Sequence, residues 1–412
     1  MMSQAHHTLK ARFVFPVAGP PIPGGTVSVR GERIVAVEET SAVGKVEDLG
    51  DVAILPGLVN AHAHLEFSDL RRPLGEPGMG FADWIRLVIE MFRQRPGASP
   101  DAVERGLRES IEAGTTMLGE IAQPEWDHGL FDEAQLDTTV FLELIAPVED
   151  RIARPLHLAP RHLQLLDATR HWRPGLSPHA PYSVLPELLA AAVSLSAAGR
   201  APLAFHLAES REELQLIRSG RGPFRDCFEE LGTCDPRLFP AGGRPLDYLR
   251  ALAGAHRALV IHGNYLDEEE MAFLAERAAR MAVVYCPRTH AFFGHDPYPL
   301  RMMLAAGALV ALGTDSRASS PDLGMLGELR FAAGRHPDVG RDVILRLATL
   351  DAAKALGRPQ DMGSLEPGKY ANLAVVRLPQ RTAADPHELL FESEEPVVGT
   401  YYRGRLVAGT AA

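Results

Sequence analysis

Two histidines one residue apart, His62 and His64, end an apolar run that begins at Ile54. Alternate side chains of a β-strand lie on the same face, so both imidazoles are predicted to point the same way from the end of a strand. Two imidazoles in that arrangement can bind one metal ion. The pair alone is weak evidence, because histidines at this spacing arise by chance and solvent-exposed histidines are the commoner explanation.

Metal-compatible side chains also follow three later apolar runs, at the point where each run ends. His206 and Glu209 come after the first of these runs, His262 after the next and Asp315 after the last. In parallel barrels the carboxyl ends of the strands meet at one rim, where catalytic residues lie. Imidazole and carboxylate ligands suit a divalent ion, zinc first and iron as the alternative. Three or four such ligands with one position left for water indicate a catalytic site.

The elements that would position these residues are eight apolar runs that alternate with helical stretches. This pattern is typical of repeated βαβ units and predicts a (β/α)8 TIM-type barrel of class α/β. The predicted strands are residues 54–62, 115–121, 138–145, 174–177, 202–206, 257–262, 282–286 and 309–314. Residues 101–113, 185–198, 210–218 and 267–280 have apolar residues at helical spacing. The segment 220–245, rich in Gly, Pro and Arg, indicates an insertion of unknown role.

Short β-like runs lie at both ends of the chain. Such strands need partners to be stable, so the two termini are predicted to pair with each other. Residues 1–53 and 365–412 would then form a small β-sandwich domain, and residues 54–364 the barrel with the metal site.

The bulk composition excludes several classes of protein. The net charge is −11 and the pI is about 5.8, which gives no basic field for nucleic acid. No run approaches the ~20 apolar residues that cross a bilayer, so no membrane partner is expected. The three cysteines, Cys227, Cys234 and Cys286, have no Cys-x-x-Cys spacing, which fits a reducing cytoplasm. We expect a cytoplasmic protein that acts on a small molecule, and its oligomeric state, a homo-oligomer included, stays open.

As a set, these motifs resemble the amidohydrolase superfamily, in particular its branch of metal-dependent deaminases and chlorohydrolases acting on nitrogen heterocycles. The resemblance covers nearly the whole chain. It implies that one divalent ion is held by His62, His64, His206 and Asp315. Binuclear members bridge two metals with a carboxylated lysine on the fourth strand. This chain has no lysine between positions 45 and 354, so one metal is the better interpretation.

The same resemblance assigns the acid and base groups. A divalent ion lowers the pKa of its bound water to about 7, which would make hydroxide available as the nucleophile. Asp315 would take a proton, His262 would lie beside the nucleophilic water, and Glu209 would protonate the ring nitrogen and then the leaving ammonia. From its position alone, Glu209 is also compatible with a helix N-terminal acid that favours the dipole.

Several residues are candidates for contact with substrate. His179 lies in a stretch similar to one that supplies a substrate-binding histidine in deaminases of thiomethyladenosine and S-adenosylhomocysteine, and a structural loop histidine is the alternative. Glu66 lies next to the metal-binding pair and would meet a polar substrate group or cap a loop. Arg288 and Arg317 would bind a planar or anionic ligand, or form ion pairs in packed loops.

Four sequence segments resemble most closely the aminodeoxyfutalosine deaminases of the alternative menaquinone route. They are residues 64–68, 80–85, 177–184 and 313–320. Relatives that act on thiomethyladenosine carry an acid two residues before the tryptophan that corresponds to Trp84, where this chain has Ala82. Trp84 itself is predicted to face the substrate. The resemblance implies a hydrolytic deaminase of an adenine-type nucleoside derivative. A chlorohydrolase, an amide hydrolase, a guanine or S-adenosylhomocysteine-type deaminase, and a non-catalytic scaffold remain as alternatives.

Overall fold

The computed structural model describes residues 6–40, 45–94, 99–167, 171–233, 235–238 and 241–409. In chain order its strands are β1 His6–Lys10, β2 Phe13–Val14, β3 Ile22–Pro23, β4 Thr26–Arg30, β5 Arg33–Glu38, β6 Lys45–Asp48, β7 Val52–Pro56, β8 Leu58–Ala63, β9 Thr115–Ala122, β10 Asp137–Leu144, β11 Trp172–Pro178, β12 Pro202–Leu207, β13 Arg257–His262, β14 Met281–Tyr285, β15 Val310–Leu312, β16 Leu373–Arg377, β17 Val397–Tyr402 and β18 Arg405–Gly409.

The α-helices, again in chain order, are α1 Phe81–Gln94, α2 Pro100–Glu112, α3 His128–Glu133, α4 Ala153–Leu163, α5 Pro186–Gly199, α6 Arg211–Ser219, α7 Pro223–Glu230, α8 Pro245–Leu252, α9 Glu268–Ala275, α10 Pro287–Phe292, α11 Leu300–Ala306, α12 Met325–Arg335, α13 Arg341–Leu347, α14 Leu350–Ala355 and α15 Pro386–Phe391. Among the described residues, none of the helices combines the length and the apolar composition that crossing a bilayer requires.

Strands β8 to β15 form one parallel sheet in which each strand pairs with its neighbours in chain order. The sheet closes where Ala63, at the end of β8, bridges Asp315, just after β15. At the same seam the backbone N–H groups of Thr314 and Asp315 both donate to the carbonyl of His62, at 3.1 Å each. The predicted TIM-type barrel is therefore confirmed, and its seam lies at two of the predicted metal ligands.

The strand β12 illustrates how the barrel aims a polar side chain. Leu203 and Phe205 belong to the core between the sheet and the surrounding helices, whereas Ala204 belongs to the core inside the barrel. Because the side-chain period of a strand is two, the next inward position is His206. The same alternation that buries the apolar residues therefore delivers an imidazole to the interior at the strand's carboxyl end.

Both ends of the chain contribute to a β-sandwich, as predicted. One sheet has the order β5-β4-β1-β6 and the other the order β18-β17-β16-β7-β2-β3. Leu9 and Val27 of the first sheet share a core with Ile54 and Val375 of the second. The division of the chain at residues 53 and 365 stays a prediction.

The predicted strand over residues 54–62 is wrong as a single element. Its first part belongs to β7, which pairs with β16 in the sandwich, and its second part to β8, which pairs with β9 in the barrel. Gly57 lies between the two. A Cβ atom at Gly57 would lie 2.8 Å from Cβ of Thr116 and closer still to its Oγ1 and Cγ2 atoms. The chain therefore passes from one sheet to the other at a residue with no side chain.

The segment 220–245, predicted as an insertion, contains the helix α7 and a short 3-10 turn at Pro236–Leu238. Phe224 of α7 is buried and stacks on Tyr182, with ring centroids 4.3 Å apart. It also meets the edge of Phe81 on α1, at 5.8 Å. The described part of this segment is thus a packed element beside α1.

We predict that Gly57→Ala lowers the free energy of unfolding by about 1–3 kcal/mol, because the new methyl group overlaps Thr116 between two strands that cannot separate freely. Chemical denaturation measures the change. Gly334→Ala is the matched control, since a Cβ atom at Gly334 meets no atom within 4 Å. A Gly57→Ala variant as stable as the control would contradict the close approach.

Candidate active site

Three buried histidines lie together at the carboxyl ends of the barrel strands. His62 lies in β8, His64 directly follows it, and His206 lies in β12. Their ring centroids are 4.8 Å apart for His62 and His64, 4.9 Å for His62 and His206, and 5.6 Å for His64 and His206. One nitrogen from each ring lies within 4.8 Å of the others. The predicted strand-end ligands from two distant strands thus form one cluster.

The donor set of this cluster fits a metal ion. Neither Nδ1 nor Nε2 of His62 has a hydrogen-bond partner among the described residues, although the side chain is fully buried. A buried polar atom left without a partner costs about 1–3 kcal/mol, so such atoms normally have one. An imidazole nitrogen can donate its lone pair to a divalent cation, and zinc sites are commonly built from such nitrogens. The three histidines therefore form a metal-compatible site.

A backbone contact fixes the orientation of His206. Its Nδ1 atom lies 2.9 Å from the carbonyl oxygen of His179. A carbonyl only accepts, so Nδ1 carries the proton and Nε2 presents its lone pair to the other two histidines. His179 thus positions a neighbouring ligand through its main chain, whatever its side chain binds.

A second group, formed by Glu209, His262 and Asp315, directly adjoins the histidine cluster; these three side chains also place one ligand atom each within 4.8 Å of the others. Asp315 Oδ1 lies 3.6 Å from His62 Nε2 and 3.8 Å from His64 Nε2, so it links the two groups. On the far side, His262 Nε2 lies 3.3 Å from Glu209 Oε1. The structure thus brings together all six residues that were predicted for metal binding and catalysis.

Two of these residues adopt a backbone conformation that is rare outside glycine. His262 has φ of 67° and Asp315 has φ of 58°. This left-handed region is unfavourable for side chains with a Cβ atom and persists only where the surroundings enforce it. The Tyr298 hydroxyl donates to the His262 carbonyl at 3.0 Å, and Asp315 is held by the seam hydrogen bond to His62. These contacts therefore hold both residues in the left-handed conformation, which sets the direction of their side chains.

Glu209 lies in a turn that a second carboxylate holds in place. Glu213 accepts hydrogen bonds from the backbone N–H of Ala208 at 2.9 Å and of Glu209 at 2.7 Å. Ser210 caps α6 by accepting from the backbone N–H of Glu213 at 3.1 Å. Ser210 thus satisfies one free N–H group of the helix, while Glu213 fixes the turn that precedes the helix. The Glu209 carboxyl lies beside His262 as a result.

Burial and neighbouring charges shift the pKa values of Glu209, Asp315 and His262 in different directions. Burial raises the pKa of Glu209 well above its usual value, and the charges of Asp315 and Glu213 raise it further. Burial also acts to raise the pKa of Asp315, but the neighbouring histidines, His62 first, outweigh it and hold that pKa below its usual range. Burial lowers the pKa of His262 to about 3, although Asp315 opposes the shift. The two acids are thus shifted in opposite directions, Glu209 toward its protonated form and Asp315 toward its ionised form, while His262 is neutral at pH 7.

A cavity of about 470 Å³ opens above these groups. One wall is apolar and is built largely from α1, with Phe81, Trp84 and Val88 among its members. The indole Nε1 of Trp84 donates to the Ala318 carbonyl at 3.3 Å, so the ring presents its apolar surface to the cavity. The polar wall carries Glu66, Gln123, Glu143 and His179 among its members. A flat ring with polar edges fits between two such walls.

Two of the predicted substrate contacts need correction. Arg288 and Arg317 do not line this cavity. The Arg288 guanidinium binds Glu328 at 2.6 Å and Asp322 at 2.8 Å, and that of Arg317 binds Glu109 at 2.7 Å. The Arg288 guanidinium is thus committed to ion pairs, and Arg317 also donates from Nε to the Leu70 carbonyl at 2.9 Å. These contacts hold the loops after β14 and β15. Glu66, Trp84 and His179, by contrast, do line the cavity.

Sequence reasoning missed two polar residues of the cavity wall, Gln123 and Glu143. Glu143 interrupts the apolar residues at the end of β10, where it is buried. A lone carboxylate within a buried run is itself a signal, because burying a charge without a partner is costly. Gln123 immediately follows β9 and carries the same strand-end signal that was applied to the histidines.

Comparison with known proteins places the chain among hydrolases. The family model described as "Amidohydrolase family" matches residues 53–407. A 5-methylthioadenosine/S-adenosylhomocysteine deaminase from Moorella thermoacetica is 28% identical over 408 residues, which cover 91% of this chain and 86% of that protein. An aminodeoxyfutalosine deaminase from Deinococcus radiodurans is 29% identical over 360 residues, which cover 83% of each.

A solved structure has the same fold. It is the crystal structure of a Helicobacter pylori aminofutalosine deaminase in complex with methylthio-coformycin, with a TM-score of 0.85 and 22% identity. The match covers 97% of this chain and 100% of that one. Both the barrel and the sandwich are therefore shared with that protein.

We predict that His62→Ala reduces bound divalent metal from about one ion per chain to well below one, because the fully buried ligand at the centre of the cluster is lost. Elemental analysis of the purified protein measures the ratio. His157→Ala, at an exposed position on α4, is the control and should bind as much metal as the unaltered chain. Equal metal in both variants would contradict the assigned site.

Proposed function

The chain belongs to the amidohydrolase family, and from this premise we propose that it is a metal-dependent hydrolase that removes ammonia from an adenine-type nucleoside derivative. One observation carries the proposal, namely that a cluster of three buried histidines directly adjoins the group of Glu209, His262 and Asp315. That arrangement combines metal ligands, an ionised base and a protonated acid within one buried site.

The metal is proposed to be a single divalent ion, with zinc as the first candidate and iron as the alternative. Zinc favours nitrogen and oxygen ligands, and its catalytic sites keep one position open for water. His62, His64, His206 and Asp315 would hold the ion. The absence of lysine between positions 45 and 354 removes the residue that binuclear relatives use as a bridge. When bound, such an ion supplies a water molecule whose pKa is lowered to about 7.

Three protein side chains then have separate roles in accepting, orienting and donating protons. Asp315 is ionised and can accept a proton from the nucleophilic water. His262 is neutral and lies 3.3 Å from Glu209, so it can orient that water by a hydrogen bond. Glu209 is protonated and can deliver its proton to a ring nitrogen, which neutralises the charge that develops when the ring carbon is attacked. The leaving amine would depart as ammonia after a second protonation.

Two lines of support favour an adenine-type substrate. The relatives from M. thermoacetica and D. radiodurans are both named as deaminases of adenine-containing compounds. The cavity offers an apolar wall with Trp84 for one face of a planar ring and a protonated acid at its edge. The narrower proposal is that the substrate is an aminodeoxyfutalosine-like nucleoside of the alternative menaquinone route.

Cys227 and Cys286 are both unpaired, which supports the proposal that the protein works in the cytoplasm.

The test is ammonia release from a panel of adenine-type nucleosides, guanine, cytosine and s-triazines. The proposal expects turnover of an adenine-type nucleoside and loss of that activity after metal removal. A parallel assay of chloride release from 6-chloropurine riboside separates deamination from dechlorination, because only the leaving group differs. Turnover of the triazines with no activity on any nucleoside would overturn the proposed substrate class.

We predict that Glu209→Gln lowers kcat by about 10²- to 10⁴-fold, the usual contribution of a positioned acid. In the unaltered enzyme kcat/KM should fall as pH rises through the raised pKa of Glu209, because the proton it must donate is then lost. The amide cannot ionise, so the variant should lack this alkaline limb. Steady-state rates against pH measure both effects. Glu268→Gln, at an exposed position on α9, is the control, and an identical pH profile for Glu209→Gln and the unaltered enzyme would contradict the acid role.

A further inference from the structure

We propose that Glu66, Glu143 and His179 form a site that binds the vicinal hydroxyl groups of a sugar, and that these residues select nucleosides over free bases. The inference rests on the proposed function and adds to it the part of the substrate that lies beyond the reacting ring. We call these three residues the diol site. They lie on the polar wall of the cavity, at the ends of β8, β10 and β11.

One side chain fixes both carboxylates of the diol site. The amide Nε2 of Gln123 donates to Glu143 Oε2 at 2.5 Å and to Glu66 Oε1 at 3.4 Å. Both glutamates are buried, with side-chain exposures of 3% for Glu66 and 6% for Glu143. The two carboxylates are therefore held in a rigid frame before any ligand binds, which lowers the entropic cost of binding.

Each carboxylate keeps one oxygen that lacks a donor. Glu66 Oε2 is buried and has no hydrogen-bond partner among the described residues. Glu143 Oε1 lies 4.0 Å from Nε2 of His179, beyond hydrogen-bond distance. A buried carboxylate oxygen without a donor is unfavourable, so a bound group that donates here would remove a penalty already present in the protein.

The third member, His179, is held in place by one of its ring nitrogens. Its Nδ1 atom lies 2.7 Å from the Ser183 hydroxyl, and that hydroxyl lies 3.3 Å from the Ala180 carbonyl. The other nitrogen, Nε2, lies 4.0 Å from Glu143 Oε1, and the residue lines the same cavity. The ring therefore adds one more hydrogen-bonding group beside the two carboxylates.

Two buried carboxylates define the chemistry of the occupant. A carboxylate or a phosphate would meet their negative charge and would be excluded. A vicinal diol brings two O–H donors on adjacent carbons, which match acceptors that face a common space. Charged acceptors make stronger hydrogen bonds than neutral ones, so two such contacts are enough to separate a riboside from its deoxy analogues.

The arrangement also orients the reacting ring. Glu209 lies just beyond β12, and His262 is the last residue of β13. The diol site lies in β10 and just beyond β8 and β11. A sugar held at the diol site would therefore extend from one side of the barrel mouth and carry its base toward the acid on the other side. Binding energy from the non-reacting sugar would then position the ring carbon for attack.

The test compares kcat/KM for adenosine and 2′,3′-dideoxyadenosine, at pH 8. Burial raises the pKa of Glu143 to about 7, so its carboxyl is ionised there. With the unaltered enzyme we expect a fall of about 10- to 100-fold for the dideoxy compound, the effect of losing a hydrogen bond to a charged group. With Glu143→Gln we expect the two nucleosides to differ by only a few-fold, because the charged acceptor is gone. The two enzymes and two substrates form a double-mutant cycle, and its coupling term measures the contact.

Glu133→Gln, at an exposed position on α3, is the control and should keep the full discrimination. Equal rates for both nucleosides on the unaltered enzyme would overturn the diol site and leave the proposed function intact, a comparison that needs no folded variant. An equal loss by Glu143→Gln on both nucleosides would also overturn it. A second equivalent of bound metal that disappears in Glu143→Gln would show that the carboxylates are cation ligands, and would overturn the diol site as well. No ammonia from any nucleoside would overturn the proposed function, and the diol site with it.

Discussion

The closure of the barrel between its first and last strands is the constraint on which the active site depends. The carbonyl of His62 accepts hydrogen bonds from the backbone N–H groups of both Thr314 and Asp315. Asn60 completes the seam, because its side chain donates to the Thr314 hydroxyl at 2.8 Å and accepts from the Thr314 N–H at 3.1 Å. The same few contacts therefore close the sheet and bring Asp315 to the histidines. A barrel that failed to close here would lose its ligand set together with its fold.

The residues of the active site are also buried, and this sets the chemistry. In a buried site an isolated charge is unfavourable, so each ionisable group keeps its charge only where a neighbour compensates it. Asp315 has His62 and His64 within 4 Å, which favour its ionised form, whereas burial and two neighbouring acids raise the pKa of Glu209 and favour its protonated form. Two carboxyl groups in one site thus acquire opposite roles without any difference in their own structure. The positive φ angles of His262 and Asp315 show that the backbone is distorted to reach this arrangement.

The sequence predicted the parts of the molecule that follow a repeated rule. Each barrel strand buries its apolar residues and ends at the same rim, so a histidine or acid after an apolar run indicates a site residue, and this located His206, His262 and Asp315. The rule fails where two sheets share one stretch of chain, because β7 and β8 are both apolar and only the close contact at Gly57 separates them.

The rule also says nothing about which way a loop side chain turns. Arg288 follows β14 and Arg317 lies two residues beyond Asp315, yet partners from distant segments, Glu328 and Glu109, draw both guanidinium groups away from the cavity. Such partners cannot be identified without the tertiary structure. The metal ligands lie on strand ends that the barrel fixes, while the apolar wall comes from α1 and from Phe228 and Leu231 in the segment 220–245. Because this wall can change without disturbing the seam, the barrel can keep one reaction centre while the connecting segments determine which substrate reaches it.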